Sequence, residues 1–367
     1  MASKAPAWDP AFWRGKRVLL TGHTGFKGAW LAAWLVKLGA HVTGFSLPAP
    51  GRQSQAWDFV GAELAARGLA DRRGNINGGH GNNGLDDAVA AADADIVLHL
   101  AAQAIVLDSY TAPVDTWQTN VMGTLQLLQA LARHGKSCAF VGVTSDKCYD
   151  NKGWAWGYRE IDPLGGKDPY SASKAACEIL LASWRASFSE STGIAVASAR
   201  AGNVIGGGDN SAHRIVPDLV RAFAAGEAAH IRNPASTRPY QHVLEPLSGY
   251  MLLARFLHEQ PQRFAQAYNF GPDAGGEQRT DRLARAVAAQ WGTSARLTMN
   301  EAPAGPAEAQ FLMLDSSKAR KDLAWMPTWN VEQAVAATVA WHKTALDHPQ
   351  QASAETLRQI ERYETDS

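Results

Sequence analysis

The chain has 367 residues, of which 46% are hydrophobic and 19% charged, the balance of a globular protein with one large core or two joined ones. Lysine plus arginine equals aspartate plus glutamate at 35 each. No global field therefore favours nucleic acid or an anionic membrane, and an anionic ligand needs a local cluster of cations. Cys138, Cys148 and Cys177 have no CxxC spacing, which predicts a reduced, cytoplasmic protein without a metal site. Residues 1–10 contain no apolar run, so no signal peptide is expected. No apolar segment is long enough to span a bilayer.

Strand-like apolar runs alternate with helical periodicity through the first half. Residues 17–21 read as a strand, 30–38 as a helix and 41–47 as a strand. The Gly- and Asn-rich stretch 74–84 reads as a surface loop. Residues 95–101 are a buried-strand run, 116–133 are helical, 138–144 form a strand, 169–190 a long helix and 195–205 a further strand. This order predicts an α/β fold, a Rossmann-type doubly wound parallel sheet. Past residue 203 the alternation breaks. Helical patterns at 215–225, 245–256, 279–291 and 331–344 are separated by short strands such as 228–231. The expected division is a dinucleotide-binding domain over 13–206, to which some later segments return, a smaller α/β substrate lobe over 207–345, and a tail over 346–367.

The first strand runs into Thr21-Gly22-His23-Thr24-Gly25-Phe26-Lys27-Gly28. Gly22 permits a tight turn, Gly25 lets the backbone approach a pyrophosphate, and Gly28 lets helix and strand pack closely. The helix N-terminus then offers free N–H groups to phosphate. The GxxGxxG form resembles the short-chain dehydrogenase/reductase superfamily. That resemblance implies NAD, held by Gly22, Thr24, Gly25, Phe26 and Gly28, with Ser46, Ile76, Leu100, Ala101, Ala102, Tyr170 and Lys174 around it. The second strand ends in Phe45-Ser46-Leu47-Pro48, with no acid for the adenosine ribose. Ser46 is the substitute at hand. Arg52 would favour a 2′-phosphate, which leaves NADP open, although its plain reading is a solvated loop charge.

Tyr170-Ser171-Ala172-Ser173-Lys174 opens a helix, so Tyr170 and Lys174 lie one turn apart on one face. An ammonium near a phenol lowers its pKa, as a tyrosine base requires. A third member is expected at the end of the preceding strand, Val143-Thr144-Ser145-Asp146-Lys147. There Ser145 fits as the orienting hydroxyl, with Thr144 the off-by-one alternative. Asp146-Lys147 reads either as chemistry or as a salt-bridged turn. Arg232, Arg238 and Asn203 are candidates to grip a diphosphate, against the plain reading of an arginine pair bracing a loop. His242 and Glu245 read equally well as supporting or core groups. Most of the 13 tryptophans are expected in the core.

Thr144-Ser145-Asp146-Lys147-Cys148-Tyr149-Asp150-Asn151 resembles the active-site segment of the CDP-glucose 4,6-dehydratases. So do Trp156-Gly157-Tyr158-Arg159-Glu160, Arg200-Ala201-Gly202-Asn203-Val204-Ile205-Gly206-Gly207-Gly208-Asp209 and Thr237-Arg238-Pro239-Tyr240-Gln241-His242-Val243-Leu244-Glu245. The likeness runs roughly from Trp13 to Trp341. It implies an internal redox cycle on a nucleotide sugar, with Tyr170 as base at the sugar 4-hydroxyl and Asp146 as acid on the 6-hydroxyl. Lys147 stands where related dehydratases carry a glutamate base. Gln103 and Tyr240 are implied substrate contacts, and a homodimer is implied through helices 116–133 and 169–190. Leu107, Asn210, His213, Tyr240 and Ala307-Glu308 depart from the family pattern, so the reaction class is better marked than the substrate. The alternatives are a dehydratase or epimerase for another nucleotide sugar, or a non-catalytic scaffold that senses nucleotide.

Overall fold

The computed structural model describes residues 8–48, 53–78, 84–273, 277–299 and 311–367. Arg52 and Ala307-Glu308 lie outside the described residues. The main sheet contains β1 (Arg17–Thr21), β2 (His41–Ser46), β3 (Ala70–Arg73), β4 (Ile96–His99), β5 (Cys138–Val143), β6 (Ile194–Ala201) and β7 (Ala267–Phe270). All seven are parallel, in the order 7-6-5-4-1-2-3. The order reverses between β1 and β4, and the carboxyl ends of those strands open a crevice there.

Helices α1 (Phe26–Lys37), α2 (Gln55–Ala66), α3 (Leu85–Ala92), α4 (Gly123–His134) and α5 (Pro169–Ser187) lie between the strands. Residues of α1 and α2 share one apolar cluster with Val18 and Leu20 of β1. Residues of α3, α4 and α5 share another with Leu19. Adjacent β1 residues thus feed opposite layers, which is why a central parallel strand reads as an unbroken apolar run.

Helices α6 (Ile215–Ala224), α7 (Leu244–Glu259), α8 (Thr280–Trp291), α9 (Val331–Asp347) and α10 (Ala352–Asp366) follow. Helices α6, α8 and α9 surround a separate cluster that includes Val216, Leu219, Leu283, Val287 and Ala334. Helix α7 and β7 return to the main sheet. The last segment is docked: Tyr363 of α10 is buried and meets Trp34 and Trp329 edge-on. Trp13, Trp30, Trp34, Trp325 and Trp341 are all fully buried. Among the described residues no helix is long and apolar enough to cross a membrane.

Two elements differ from the sequence expectation. The helix expected over 116–133 is interrupted by a π-helical turn, Gln118–Met122, before α4. The extra residue turns Asn120 inward, where its amide bonds Gln103 and Ser173. The strand expected over 195–205 stops at Ala201. At Gly202 a Cβ would lie 2.8 Å from the Pro239 ring and 3.2 Å from Asp146 Oδ2. The chain there is held by close approach, and the short Val204–Ile205 strand pairs with Gln241–His242 instead.

Glu245 is fully buried. It accepts from the Thr328 and Trp329 amides at 3.0 and 2.7 Å and from the Tyr363 hydroxyl at 2.7 Å, so it ties α7 to the segment before α9 and to α10. Burial nevertheless pushes its carboxyl up from 4.5 to about 7. A group raised in the folded state contributes stability that is full below its unfolded pKa and lost as pH rises through the folded one. Between about pH 5 and pH 8 the wild type should therefore lose stability relative to Glu245→Gln, by at most about 3 kcal/mol. Urea unfolding of both proteins across that range measures the difference, and parallel curves would refute it.

Candidate active site

The catalytic helix starts where its sequence says it should. Asp168 Oδ1 accepts from the Ser171 amide at 2.9 Å, and Pro169 occupies the first turn. This start sets Tyr170, Lys174 and Glu178 one below another on α5. Opposite them, Ser145 caps a short 3-10 turn, Asp146–Cys148, just past β5. Its hydroxyl accepts from the Lys147 amide at 3.2 Å and donates to Asp146 Oδ1 at 2.9 Å.

The Ser145 hydroxyl faces the Tyr170 phenol across the cavity. Burial pushes the Tyr170 phenol up to about 12, while Ser145 and the charge of Arg214 oppose the rise. Lys174 is buried and donates a hydrogen bond to the Val143 carbonyl at 3.2 Å. The lysine was expected beside the phenol; here its hydrogen bond goes to the strand end, and the strongest cationic influence on Tyr170 is Arg214. The Thr144 hydroxyl points the other way, to Glu178. Of the two candidate hydroxyls, Ser145 alone faces Tyr170.

Asp146 is 2% exposed, and its Oδ2 is buried with no hydrogen-bond partner. A carboxylate oxygen left unpaired beside a serine and a tyrosine is a place for a ligand hydroxyl. Lys147 is half-buried on the same rim. Its ammonium makes no hydrogen bond or ion pair with a described residue, so Asp146-Lys147 is not a salt-bridged turn.

These groups line one cavity of about 1270 Å3. Gly22, Thr24, Gly25, Phe26, Gly28, Ser46, Ile76, Leu100, Ala101 and Ala102 line one end, and Asn203, Arg232, Arg238 and Tyr240 line it toward the second half of the chain. Arg238 is buried and donates to the Thr237 carbonyl at 2.9 Å, while Arg232 is exposed. The Tyr240 hydroxyl lies 3.2 Å from Thr280 Oγ1. Gln103 is not part of the lining. Asn120 holds its backbone, and its side-chain amide turns back on the Ile105 carbonyl at 2.8 Å. No tryptophan lines the cavity among the described residues.

Sequence reading passed over Lys27 and Arg214, both in the lining. Lys27 Nζ lies 3.3 Å from the Tyr250 hydroxyl, and burial, helped by Arg214, brings its pKa down to about 7. A lysine inside a glycine loop was the available signal. Arg214 pairs with Asp209 at 3.3 Å and had no local signal beyond its charge. The acid missing from the end of β2 has a counterpart on β3. Asp71, opposite Gly44 in register, lies 2.9 Å from His23 Nε2. Although burial opposes it, His23 and Arg73 bring its carboxyl down to about 2. His23 Nδ1 in turn meets Ser46 Oγ at 3.0 Å, so Ser46 is oriented from beneath.

The glycine loop fits a dinucleotide. Gly22 has φ +75°, and a Cβ there would lie 2.7 Å from the Ala101 amide. At Gly28 a Cβ would lie 2.0 Å from the Gly22 carbonyl. Both glycines are demanded by the fold itself. At Gly25 a Cβ would meet only the Gly22 carbonyl, at 3.3 Å. Gly25 therefore keeps open the space in front of the α1 N-terminus, where a pyrophosphate is received.

A seven-stranded parallel sheet with this loop at one edge of the crevice and a Ser-Tyr-Lys set at the other defines an extended short-chain dehydrogenase/reductase. The model of the GDP-mannose 4,6-dehydratase family matches residues 19–338, and the chain belongs to that family. It is 42% identical over 340 residues to the CDP-glucose 4,6-dehydratase of Salmonella typhimurium, covering 91% of this chain and 92% of the relative. Among solved structures, a UDP-glucose 4-epimerase of Stenotrophomonas maltophila with bound NAD superposes with a TM-score of 0.77 at 20% identity, covering 90% of this chain and 98% of that one. A dTDP-glucose 4,6-dehydratase of Streptomyces venezuelae with bound NAD gives 0.73 at 22% identity, covering 91% and 99%.

The two kinds of glycine can be separated by experiment. Gly25→Val should leave the melting temperature nearly unchanged and weaken NAD binding roughly a hundredfold, through loss of backbone contacts to phosphate. Gly28→Ala should instead lower the melting temperature. Calorimetric titration with NAD beside thermal unfolding distinguishes the two, and equal effects at both positions would contradict the assignment.

Proposed function

We propose that the protein is an NAD-dependent lyase, a nucleotide-sugar 4,6-dehydratase that converts CDP-glucose to CDP-4-keto-6-deoxyglucose. The observation that carries this reading is the unpaired, buried Asp146 Oδ2 beside the Ser145–Tyr170 pair. An epimerase on this scaffold needs the serine, tyrosine and lysine but no acid at Asp146. A scaffold that only senses nucleotide needs none of them.

The chemistry follows from the placement of the side chains. Ser145 holds the sugar 4-oxygen and Tyr170 removes its proton. NAD held at the Gly22–Gly28 loop would supply the hydride acceptor for carbon 4 and the hydride donor for carbon 6. The ketone at carbon 4 acidifies the hydrogen on carbon 5, which Lys147, acting as the base, removes. Asp146 gives a proton to the 6-hydroxyl, and water leaves. Arg232, Arg238 and Arg214 supply the cations that a diphosphate needs in a chain of zero net charge. The three cysteines are unpaired and buried, in keeping with a reduced cytoplasmic setting.

Incubation with CDP-, UDP-, GDP- and dTDP-glucose should give a 4-keto-6-deoxy product fastest from CDP-glucose. Faster turnover of another nucleotide would move the substrate assignment and leave the reaction class. Lys147→Ala should still let substrate reduce NAD but should stall before the 6-deoxy product, so NADH absorbance accumulates in a single turnover. Loss of a positioned base lowers rates by about two to four powers of ten. If Lys147→Ala blocks NADH formation as fully as Tyr170→Phe, Lys147 belongs to the oxidation step or the fold.

The proposal includes a homodimer. Tyr110, Val114, Trp117 and Met122 are exposed on the segment that packs along α5, and Ile179 and Phe188 are exposed on α5 and just past its end. Apolar side chains of this size on adjacent helical segments suit burial against a second copy. Light scattering should give about twice the chain mass, and Trp117→Glu with Ile179→Glu should give the monomer. A wild-type monomer at micromolar concentration would end this part of the reading.

A further inference from the structure

Glu178 lies one turn beyond Lys174 on the face of α5 that carries Tyr170, and it is 3% exposed. It accepts from three groups on other elements. The Thr144 hydroxyl comes from the end of β5, next to Ser145. The Ser198 hydroxyl, at 2.7 Å, and Arg200 Nη2, at 2.7 Å, come from β6. Arg200 Nη1 continues to the Tyr149 hydroxyl at 2.7 Å, at the far end of the segment that holds Ser145, Asp146 and Lys147. One carboxylate thus joins the helix of the base, the strand end of the hydroxyl and acid, and the neighbouring strand.

We propose that Glu178 is a positioning residue for the dehydratase reaction: it fixes the height of α5 against the end of β5, so that Tyr170 meets Ser145, and it places a negative charge one turn from Lys174 on the same helix face. The inference rests on the dehydratase reading for its kinetic assay. A plain core ion pair would hold β6 to α5 without gripping Thr144, and would leave the chemistry of Lys174 alone.

The charges around Lys174 give the second half of the proposal its sign. Burial lowers the Lys174 pKa, and Cys177 and Glu178 on its own helix and Cys148 after β5 oppose that fall. Buried His99 on β4 and Lys27 on α1 also face it. Glu178 itself is faced by Arg200 on β6 and, on its own helix, by Arg185 and Lys174. Burial would raise its carboxyl, but Arg200 and the three hydrogen bonds hold it below the ordinary glutamate value. It is therefore ionised wherever the protein works. Removing that charge leaves Arg200 unopposed, and both changes push the Lys174 pKa down.

Three variants test this. Glu178→Gln should lower kcat roughly ten- to a hundredfold, as small misplacements of reacting groups do, with KM for CDP-glucose little changed. Its alkaline limb should move to lower pH by about one unit. NMR titration of the Lys174 side chain in the ligand-free protein should show the same downward shift, and needs no substrate. Glu178→Asp keeps the charge, so kcat falls while the limb and the Lys174 titration stay in place. Thr144→Val removes only the grip on the strand end, so kcat falls several-fold with an unmoved limb. Glu178→Gln with wild-type kcat and an unmoved Lys174 titration overturns the proposal, even if its melting temperature falls. Should that variant not fold, Thr144→Val decides, since unchanged kcat there removes the positioning role. If the wild type turns over no nucleotide sugar, the function reading fails by itself, and the Lys174 titration in the variants still tests the inference.

Discussion

Burying the Glu178–Arg200 pair strips water from two charges, and the mutual attraction offsets that only when the remaining lone pairs and protons find partners. Nearly all do. Thr144 and Ser198 complete Glu178, and Tyr149 takes Arg200 both by hydrogen bond and by its ring face, 5.0 Å from the guanidinium. The Tyr149 hydroxyl donates on to Asn269 of β7 at 2.8 Å. The Asn269 side-chain amide then donates to the carbonyls of Tyr158 and Asp315, and its backbone N–H donates to Glu160 Oε1. The carboxyl ends of β5, β6 and β7 are therefore set by one connected polar network. Strand ends are ordinarily where a sheet loosens into loops. Here they are fixed to hydrogen-bond tolerance, and the side chains that project from them inherit that precision.

The sheet was legible in the sequence because a buried parallel strand leaves a plain trace: a short apolar run, a helical pattern, another run. The boundaries that moved were moved by contacts invisible to a one-dimensional reading. Nothing local in the sequence says that Gly202 must pass 2.8 Å from the Pro239 ring and so end β6 early. Nothing says that Asn120 turns inward at a π-helical turn to hold Gln103, and that turn is also why Gln103 faces away from the cavity. The docking of α10 was missed for a related reason. Its polar residues outnumber its apolar ones, and it is held through Tyr363, together with Glu364 bonded to Trp34 and Lys37.

At the site, the residues named by motif line one cavity, Gln103 excepted. Lys27 and Arg214 became visible only when α1 and the loop before α6 were brought around one cavity, and Asp71 only when β3 set it against His23. Thr144 and Ser145 show the limit most plainly. Adjacent hydroxyls at a strand end are indistinguishable in sequence, yet successive side chains point to opposite sides. One goes to the Glu178 network and the other to Tyr170.

The same burial that makes the site exact also works against its charges. The Tyr170 phenol is pushed up to about 12, Lys27 is brought down to about 7, and Lys174 is lowered as well. Each shift favours the neutral form, as desolvation must. In the proposed mechanism a base that has to become an anion and a cation that has to remain one are both set against their surroundings by a few oriented partners. For Tyr170 these are Ser145 and Arg214. For Lys174 they are the Val143 carbonyl and the charge of Glu178. Asp146, the proposed acid, is treated differently: one oxygen is fixed by Ser145 and the other is left without a partner. In the proposed mechanism Tyr170 and Lys174 are set by the protein before substrate arrives, while the unpartnered Oδ2 of Asp146 is left for the substrate hydroxyl.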